Sequence, residues 1–472
     1  MDVRDNTLLD RLDRSLAAVD RLIGMLRPEQ WTLPTPCSDW TVGELVDHLV
    51  GMNRVFAALL ADEPPPRRVG GGPGPAQAYR DSAAALLAAF SRPGALDRSY
   101  RGPLGTATGA DRLQIRLYDL LAHGWDLAQA TGQPAQLPED AAEQALAFAR
   151  VQIVDSARPG RFDPAQVVSP YAPAIERLVA FLGRRVESST AAVVTFAVAD
   201  GTRLACHRTG EGTPLVCVPG GPMRAAAYLG DLGGLTRRHP AALLDLRGTG
   251  DSAVPADPAS YRCDRQVEDV EALRRHLGVE RLDLAGHSAG AAVAILYAAR
   301  YPERMRRLLL LSPSPRAVGI DVSDADRRRV ADARRGEPWF ARAHAGFERI
   351  WAGEATEADW DAITPFTYGR WDAVAQNHDA RAAAEQNVEA AGRYYAAGAI
   401  DVPAVRSALG RLPVPVLILA GEYDIAVPPP RATDYAALFA DAELVVQPHA
   451  GHYPWLDDPD RFAEPVLRFL DQ

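Results

Sequence analysis

Near residue 187 the spacing of apolar side chains changes its period, and that change restricts the chain to two parts of different fold class. Upstream, Leu8, Leu12, Leu16, Val19, Leu22 and Leu26 recur every three or four residues, the stripe of an amphipathic helix that needs other helices to cover it. Downstream, the apolar runs AAVVTFAV, TPLVCVPG, AALLDLRG, RLDLAGHS, RLLLLSPS, VPVLILAGE and AELVVQPH are mostly separated by helical segments. Continuous apolar strands alternating with helices predict a mostly parallel sheet covered on both faces. At 472 residues the chain exceeds the roughly 250–300 at which one core stops growing, so two domains are expected: a helical one over 1–186 and an α/β one over 187–472.

Within the first part, Thr41 and Glu44 form a capping box ahead of Leu45, His48, Leu49 and Asn53, and PPPRRVGGGPGP at 64–75 reads as a loop. Further helical stretches near 76–92, 110–131, 138–155 and 172–185 complete an all-α bundle. Within the second part, about 314–410 interrupts the strand–helix alternation with helical sequence rich in aromatic residues, among them Trp339, Phe347, Trp351, Trp360, Phe366 and Tyr394, and reads as a cap inserted between strands. Rings placed there favour a small-molecule or short-peptide substrate with apolar groups, and some of them serve helix packing. Glu337, Glu348 and Glu354 in the same insert are carboxylates able to meet a substrate amine.

A formal net charge of −10 without a basic cluster argues against a nucleic-acid partner. Every basic residue is Arg, which excludes Schiff-base and P-loop lysine chemistry. Cys37, Cys206, Cys217 and Cys263 lack the spacing of a disulfide framework or zinc knuckle. The charged N-terminus and the absence of an 18-residue apolar run predict a cytoplasmic protein without a membrane partner.

Chemistry is concentrated in Gly286-His287-Ser288-Ala289-Gly290, which directly follows the apolar run LDLA and precedes the helical run AAVAILYAARY. A serine on such a strand-to-helix turn is lifted above the sheet edge, and the flanking glycines permit the sharp backbone. Asp424 beyond VPVLILAGE and His452 beyond AELVVQPH then follow in the order serine, acid, histidine. Together they form a candidate nucleophile, general base and imidazole-orienting acid, with His449 read as a structural neighbour. Two backbone amides must face the oxyanion; Ala289 and Gly221, the latter in Val218-Pro219-Gly220-Gly221-Pro222, are the candidates.

With these pieces, PGGP, LDLRGTGDS, GHSAG, LILAGEYD and GHYPWLDDPDRF, residues 191–472 resemble the α/β-hydrolase superfamily, nearest in pattern to proline iminopeptidase-like members. The resemblance implies an α/β-hydrolase fold with a helical cap and a serine hydrolase acting on an ester or amide through an acyl-enzyme, with no cofactor needed. Such peptidases usually carry His where this chain has Pro219 and Gly-Gly-Ser-Trp-Gly where it has GHSAG, which weakens the aminopeptidase implication. Asp245, Arg247 and Asp251 read as braces of the site.

In the helical part, Asp119 and His123 stand one turn apart and His48 lies on the capped helix. From spacing alone this is either a three-ligand metal site or a set of satisfied core residues. QWTLPTPCSDWTVGELVDHLVGMNRVFAAL and LYDLLAHGWDLAQATG resemble the DinB-like bundle of mycothiol-dependent maleylpyruvate isomerases, the resemblance spanning about 8–185. It implies His48, Asp119 and His123 as ligands of zinc, with mycothiol as a possible thiol cofactor. The isomerases typically have Glu at the position of Asp119, and Asp126 reads as a brace. The alternatives to a serine hydrolase are therefore a metal-dependent thiol transferase or isomerase centred on the bundle, and a non-catalytic scaffold.

Overall fold

The computed structural model describes residues 3–37, 40–64, 74–102, 105–154, 158, 161–170, 172–186 and 192–472. Most of the 64–75 loop and the junction at 187–191 lie outside them. The chain divides into two compact units, Met1–Ser189 and Thr190–Gln472.

The first unit is built from α1 (Val3–Gly24), α2 (Val42–Leu60), α3 (Pro75–Phe90), α4 (Gly109–Thr131), α5 (Glu139–Gln152) and α6 (Ala174–Phe181). Thr41 caps α2 as its sequence predicts: the hydroxyl accepts from the Glu44 amide at 3.3 Å while the Glu44 carboxylate accepts from the Thr41 amide at 2.9 Å. Leu12, Leu16 and Val19 of α1, Leu45 and Leu49 of α2 and Leu117, Leu120 and Leu121 of α4 are buried in one core. One feature departs from an all-α reading. Strands β1 (Ser99–Gly102) and β2 (Gly105–Thr108) form an antiparallel hairpin, which SYRG and GTAT conceal because each is only four residues long with a single apolar side chain, too short for an alternating pattern to register. The buried Arg112 stabilises the hairpin by donating to the Tyr100 and Gly105 carbonyls.

In the second unit, strands β3 (Ala192–Ala197), β4 (Arg203–Thr209), β5 (Leu215–Val218), β6 (Ala241–Leu244), β7 (Leu282–His287), β8 (Met305–Leu311), β9 (Val416–Gly421) and β10 (Ala442–Gln447) form one sheet in the order 10-9-8-7-5-6-4-3. β4 runs antiparallel to both β3 and β6, and the remaining neighbours are parallel. The fold class is that of the α/β-hydrolases, with one strand more than the apolar runs indicate. β4, RLACHRT, escapes a search for continuous apolar runs because Arg203, His207 and Arg208 interrupt it.

Helices α7 (Val267–His276) and α8 (Gly290–Arg300) cross over beside β7, and β5, β7 and β9 are buried along their whole length. Between β8 and β9, helices from Asp324–Asp332 to Val402–Leu409 form the inserted cap. Ala343, Phe347 and Phe366 form a cap core with Trp339, Phe340 and Trp351 packed against it, and Trp360 stays exposed. Several of the rings that composition offers to a substrate are thus engaged in cap packing. Among the described residues no helix is long and apolar enough to cross a membrane.

Candidate active site and candidate metal centre

Parallel strands deliver the loops at their carboxyl ends to one edge of a sheet, and there the loops after β7, β9 and β10 meet. Ser288 follows β7 directly and has φ +51°, the strained left-handed backbone of a nucleophile elbow. The glycines beside it are there for space. A Cβ at Gly290 would stand 2.4 Å from the Val218 and Pro219 carbonyl oxygens, and one at Gly286 2.8 Å from the Ala291 Cα. Ser288 Oγ lies 2.8 Å from His452 Nε2, and His452 Nδ1 lies 2.7 Å from Asp424 Oδ2. Asp424 is buried, and its other oxygen accepts from the amides of Ala426 (2.8 Å) and Val427 (3.1 Å), which orients the carboxylate toward the imidazole. His449 is exposed and engages Tyr423 Oη at 2.9 Å, away from Ser288.

The loop after β5 lies over the elbow: a Cβ at Gly220 would be 2.9 Å from Ser288 Cβ and 3.1 Å from the Ala289 amide nitrogen. The Gly220 amide donates to Tyr228 Oη at 2.6 Å, so it is committed. The next residue, Gly221, has φ +118°, a conformation only glycine adopts readily, and Ala289 stands at the start of α8. Asp245 is buried and accepts from the Ala226 and Asp251 amides at 2.8 and 2.9 Å, with His207 Nε2 2.8 Å away. Arg247 pairs with Asp269 and Asp200. Asp245 and Arg247 thus brace the neighbouring loops, and Asp251 joins them through its amide. Of the cap carboxylates, Glu337 pairs with Arg334 (3.3 Å), and Glu348 lies near Arg328 (3.5 Å) and His344 (3.7 Å).

One residue of GHYPWLDDPDRF to which sequence alone assigns no role holds the histidine loop. The half-buried Asp457 accepts from the amides of Gly451 (2.8 Å), Gly369 (3.0 Å) and Arg370 (3.1 Å), fastening the segment just before His452 to the cap, while the His452 amide donates to the Thr367 carbonyl at 2.7 Å. Burial pushes the Asp457 carboxyl up to about 6, against the opposing pull of Arg370 and the three amides. A folded-state value above that of the unfolded chain means that this group favours the fold at low pH, and that the contribution is lost as pH rises through about 6. The melting temperature of the native protein relative to Asp457→Asn is therefore expected to increase as pH falls from about 7 to about 5. A gap independent of pH would show that burial does not perturb this carboxyl.

In the first unit, α2 carries His48 and α4 carries Asp119 and His123 to one point. Asp119 Oδ1 lies 3.5 Å from His48 Nε2 and 3.4 Å from His123 Nε2, and the three donor atoms are within 4.8 Å of one another. His48 Nε2 is buried without a hydrogen-bond partner. Donor pairs about 3.4 Å apart match two ligands roughly 2.1 Å from a tetrahedral cation, so the shorter Asp119 side chain reaches and the residues fit zinc or a similar ion. Two of the three candidate donors are also oriented from behind. Asp119 is paired with Arg116, and His123 Nδ1 lies 3.0 Å from Asp126, itself bonded to Arg184 at 2.9 Å. Burial would raise the Asp119 carboxyl, but His123, His48 and Arg116 together hold it well below the usual range. Cys37 also clusters with His123 and Asp126, but burial and then the Asp126 charge push its thiol up, and Asp126 is engaged by Arg184. Hence His48, Asp119 and His123 are the better donor set.

Comparison with known proteins gives matches for both units. A family model described as alpha/beta hydrolase fold matches residues 213–459, and one described as mycothiol maleylpyruvate isomerase N-terminal domain matches 12–128. An uncharacterised protein of Mycobacterium tuberculosis is 36% identical over 177 residues, covering 37% of this chain and 95% of that protein. The proline iminopeptidase of Heyndrickxia coagulans is 23% identical over 277 residues, 56% of this chain and 92% of its own length. Among solved structures, a thermophilic esterase from Thermogutta terrifontis is 25% identical with a TM-score of 0.44, covering 60% of this chain and 98% of its own.

Proposed function

Given that the chain belongs to the alpha/beta hydrolase fold family and carries a mycothiol maleylpyruvate isomerase N-terminal domain ahead of it, we propose that it is a serine hydrolase of ester or amide bonds. The observation that carries this reading is the unbroken hydrogen-bonded line Ser288–His452–Asp424, with separations of 2.8 and 2.7 Å. His452 Nε2 takes the Ser288 proton as Oγ attacks the carbonyl carbon, and the Gly221 and Ala289 amides face the oxyanion that forms. The imidazolium then gives its proton to the leaving oxygen or nitrogen, and an acyl-enzyme remains. Water, deprotonated by the same imidazole, releases the acid and restores the hydroxyl. Asp424 keeps Nδ1 protonated and offsets the charge on the ring. The relatives' names span an esterase and an iminopeptidase; the departures at Pro219 and in GHSAG, with Glu337 and Glu348 engaged by arginine, favour an ester or simple amide over a peptide with a free amine.

A fluorophosphonate probe tests the reading on the full chain. Covalent labelling confined to Ser288, mapped by mass spectrometry, is the expected result, and an unreactive folded protein would reduce the second unit to a scaffold.

A second reading concerns the first unit, and the convergence of three donor atoms within 4.8 Å of one another favours it: His48, Asp119 and His123 hold a divalent metal, zinc being the best match. Zinc bound by three protein groups leaves a position at which a thiol or water is made more acidic. A low-molecular-weight thiol such as mycothiol, as the name of the matching family implies, is the thiol proposed. Arg116 and Asp126 would keep the carboxylate and the His123 ring aimed at that point.

A further inference from the structure

Behind the reacting groups, the second unit contains a chain of buried polar atoms that the mechanism above does not use. Tyr228, on the 3-10 turn Ala226–Leu229, accepts the Gly220 amide proton at 2.6 Å, and its oxygen lies 2.6 Å from His287 Nδ1. On the other side of that ring, His287 Nε2 lies 2.9 Å from the main-chain oxygen of His452. Tyr228 and His287 are both buried, and the His287 ring is hemmed in by Tyr453 and Trp455 at centroid distances of 5.3 and 4.9 Å and stands 5.0 Å from the His452 ring.

The proton positions follow by elimination. A phenol has one proton, and because Tyr228 Oη already accepts from Gly220, its own proton is free to go to His287 Nδ1. Nε2 then carries the single N–H of the neutral ring and donates to the His452 carbonyl. The other tautomer would set the Nε2 lone pair against a carbonyl oxygen at 2.9 Å and leave the phenol proton without an acceptor, two uncompensated groups in a buried place. Burial, and then the charge of His452, hold the His287 ring well below its ordinary value, and burial pushes the Tyr228 phenol up, so both remain neutral and the directions of the hydrogen bonds are fixed.

We propose that Tyr228 and His287 are positioning residues which lock the oxyanion loop and the His452 loop to each other through Gly220 N–H···Tyr228 O–H···His287 N–H···O=C of His452. The two loops come from opposite sides of β7, after β5 and after β10, and each carries one half of the machinery, an amide for the oxyanion and the base for the serine. The relay has a chemical consequence. Gly220 cannot turn to offer its amide to substrate while Tyr228 holds it, which leaves the amide of Gly221 as this loop's donor for the oxyanion. This inference rests on the serine hydrolase reading, and its test separates the two.

Tyr228→Phe keeps the ring and removes both hydrogen bonds. Its kcat on p-nitrophenyl butyrate is expected to fall about 10–100-fold with KM changed less than about twofold, because a loosened oxyanion loop weakens transition-state stabilisation alone. Phosphonylation by the fluorophosphonate probe should slow by a similar factor. A packing role alone would lower the melting temperature and leave the kcat of the folded fraction intact. On the native protein at pH 7.5, nitrogen-detected histidine NMR, assigned with His287→Gln, should show His287 as the neutral Nε2–H tautomer, a reading that stands even if Tyr228→Phe does not fold. Equal kcat and labelling rate in Tyr228→Phe and the native protein would overturn the proposal, as would an Nδ1–H tautomer. Failure of the native protein to label at all would instead remove the hydrolase reading.

Discussion

Ser288→Ala is expected to lower turnover of an activated ester by about 10⁴–10⁶-fold, with KM within a few-fold of the native value. The size follows from what the hydroxyl does in the arrangement observed. With Oγ gone, His452 Nε2 has no nucleophile to deprotonate, and the route through an acyl-enzyme closes. Amides facing the oxyanion and whatever holds the substrate remain, and such residual machinery still accelerates attack by water about 10³–10⁴-fold over solution in related sites, which sets the floor. The substitution should be nearly silent for stability. Alanine and serine are both non-glycine residues at φ +51°, so the backbone strain is common to both. His452→Ala is expected to cost about as much as Ser288→Ala, and the double variant little more than either, because the groups act as one unit. Steady-state kinetics on p-nitrophenyl esters measure all three. A Ser288→Ala variant that keeps its rate within about tenfold, or effects that multiply in the double variant, would show that the line Ser288–His452–Asp424 is not the path of the reaction.

The parts of this arrangement that sequence makes legible share a physical origin: they are local. A serine between glycines at a strand-to-helix turn needs only some nine residues of context, and the glycines are demanded by carbonyl oxygens 2.4 Å from where a Cβ would sit. Parallel strands buried on both faces give continuous apolar runs, so β5 to β9 are visible, whereas β4 keeps arginines and a histidine and needs its antiparallel partners to be seen. Fold order supplied the pairing of Asp424 with His452, 28 residues apart. What remained hidden depends on partners far along the chain. Asp457 stands in GHYPWLDDPDRF, but its role is not visible until the fold brings Gly369 and Arg370 to it, 88 and 87 residues away. Tyr228 lies 59 residues from His287, and no periodicity connects them. His287 sits inside the most conspicuous motif of the chain, yet its neighbour Ser288 draws the chemistry and only the coordinates show which carbonyl the ring meets. Asp126 was within reach of inspection, three residues from His123 on the same helix, but which of several helical carboxylates faces Nδ1 is a matter of side-chain direction.

Protein purified without chelator is expected to carry about one divalent ion per chain, and His123→Ala or His48→Ala to carry essentially none, as read by elemental mass spectrometry. Two arguments make the effect large. First, the three donor atoms lie within 4.8 Å of one another, and His48 Nε2 is buried with no hydrogen bond beyond its 3.5 Å contact with Asp119, an arrangement that a bound cation would stabilise. Second, metal that binds the folded unit and not the unfolded chain stabilises it by mass action, about 2.7 kcal/mol at a free concentration one hundred times the dissociation constant. For a unit of this size that is a rise of roughly 5–10 °C in the melting temperature, reversed by a chelator and absent in His123→Ala. Asp126→Asn should give an intermediate result, with affinity down about 10–100-fold, because it removes the carboxylate that orients the His123 ring without removing a ligand. The order native, Asp126→Asn, His123→Ala distinguishes a metal centre from a cluster of core residues, since a structural histidine would alter stability with or without metal. Native protein that carries no stoichiometric ion, with a melting temperature indifferent to added zinc and to chelator, would remove the metal reading of the first unit and leave the hydrolase reading of the second untouched, because the two rest on separate residues.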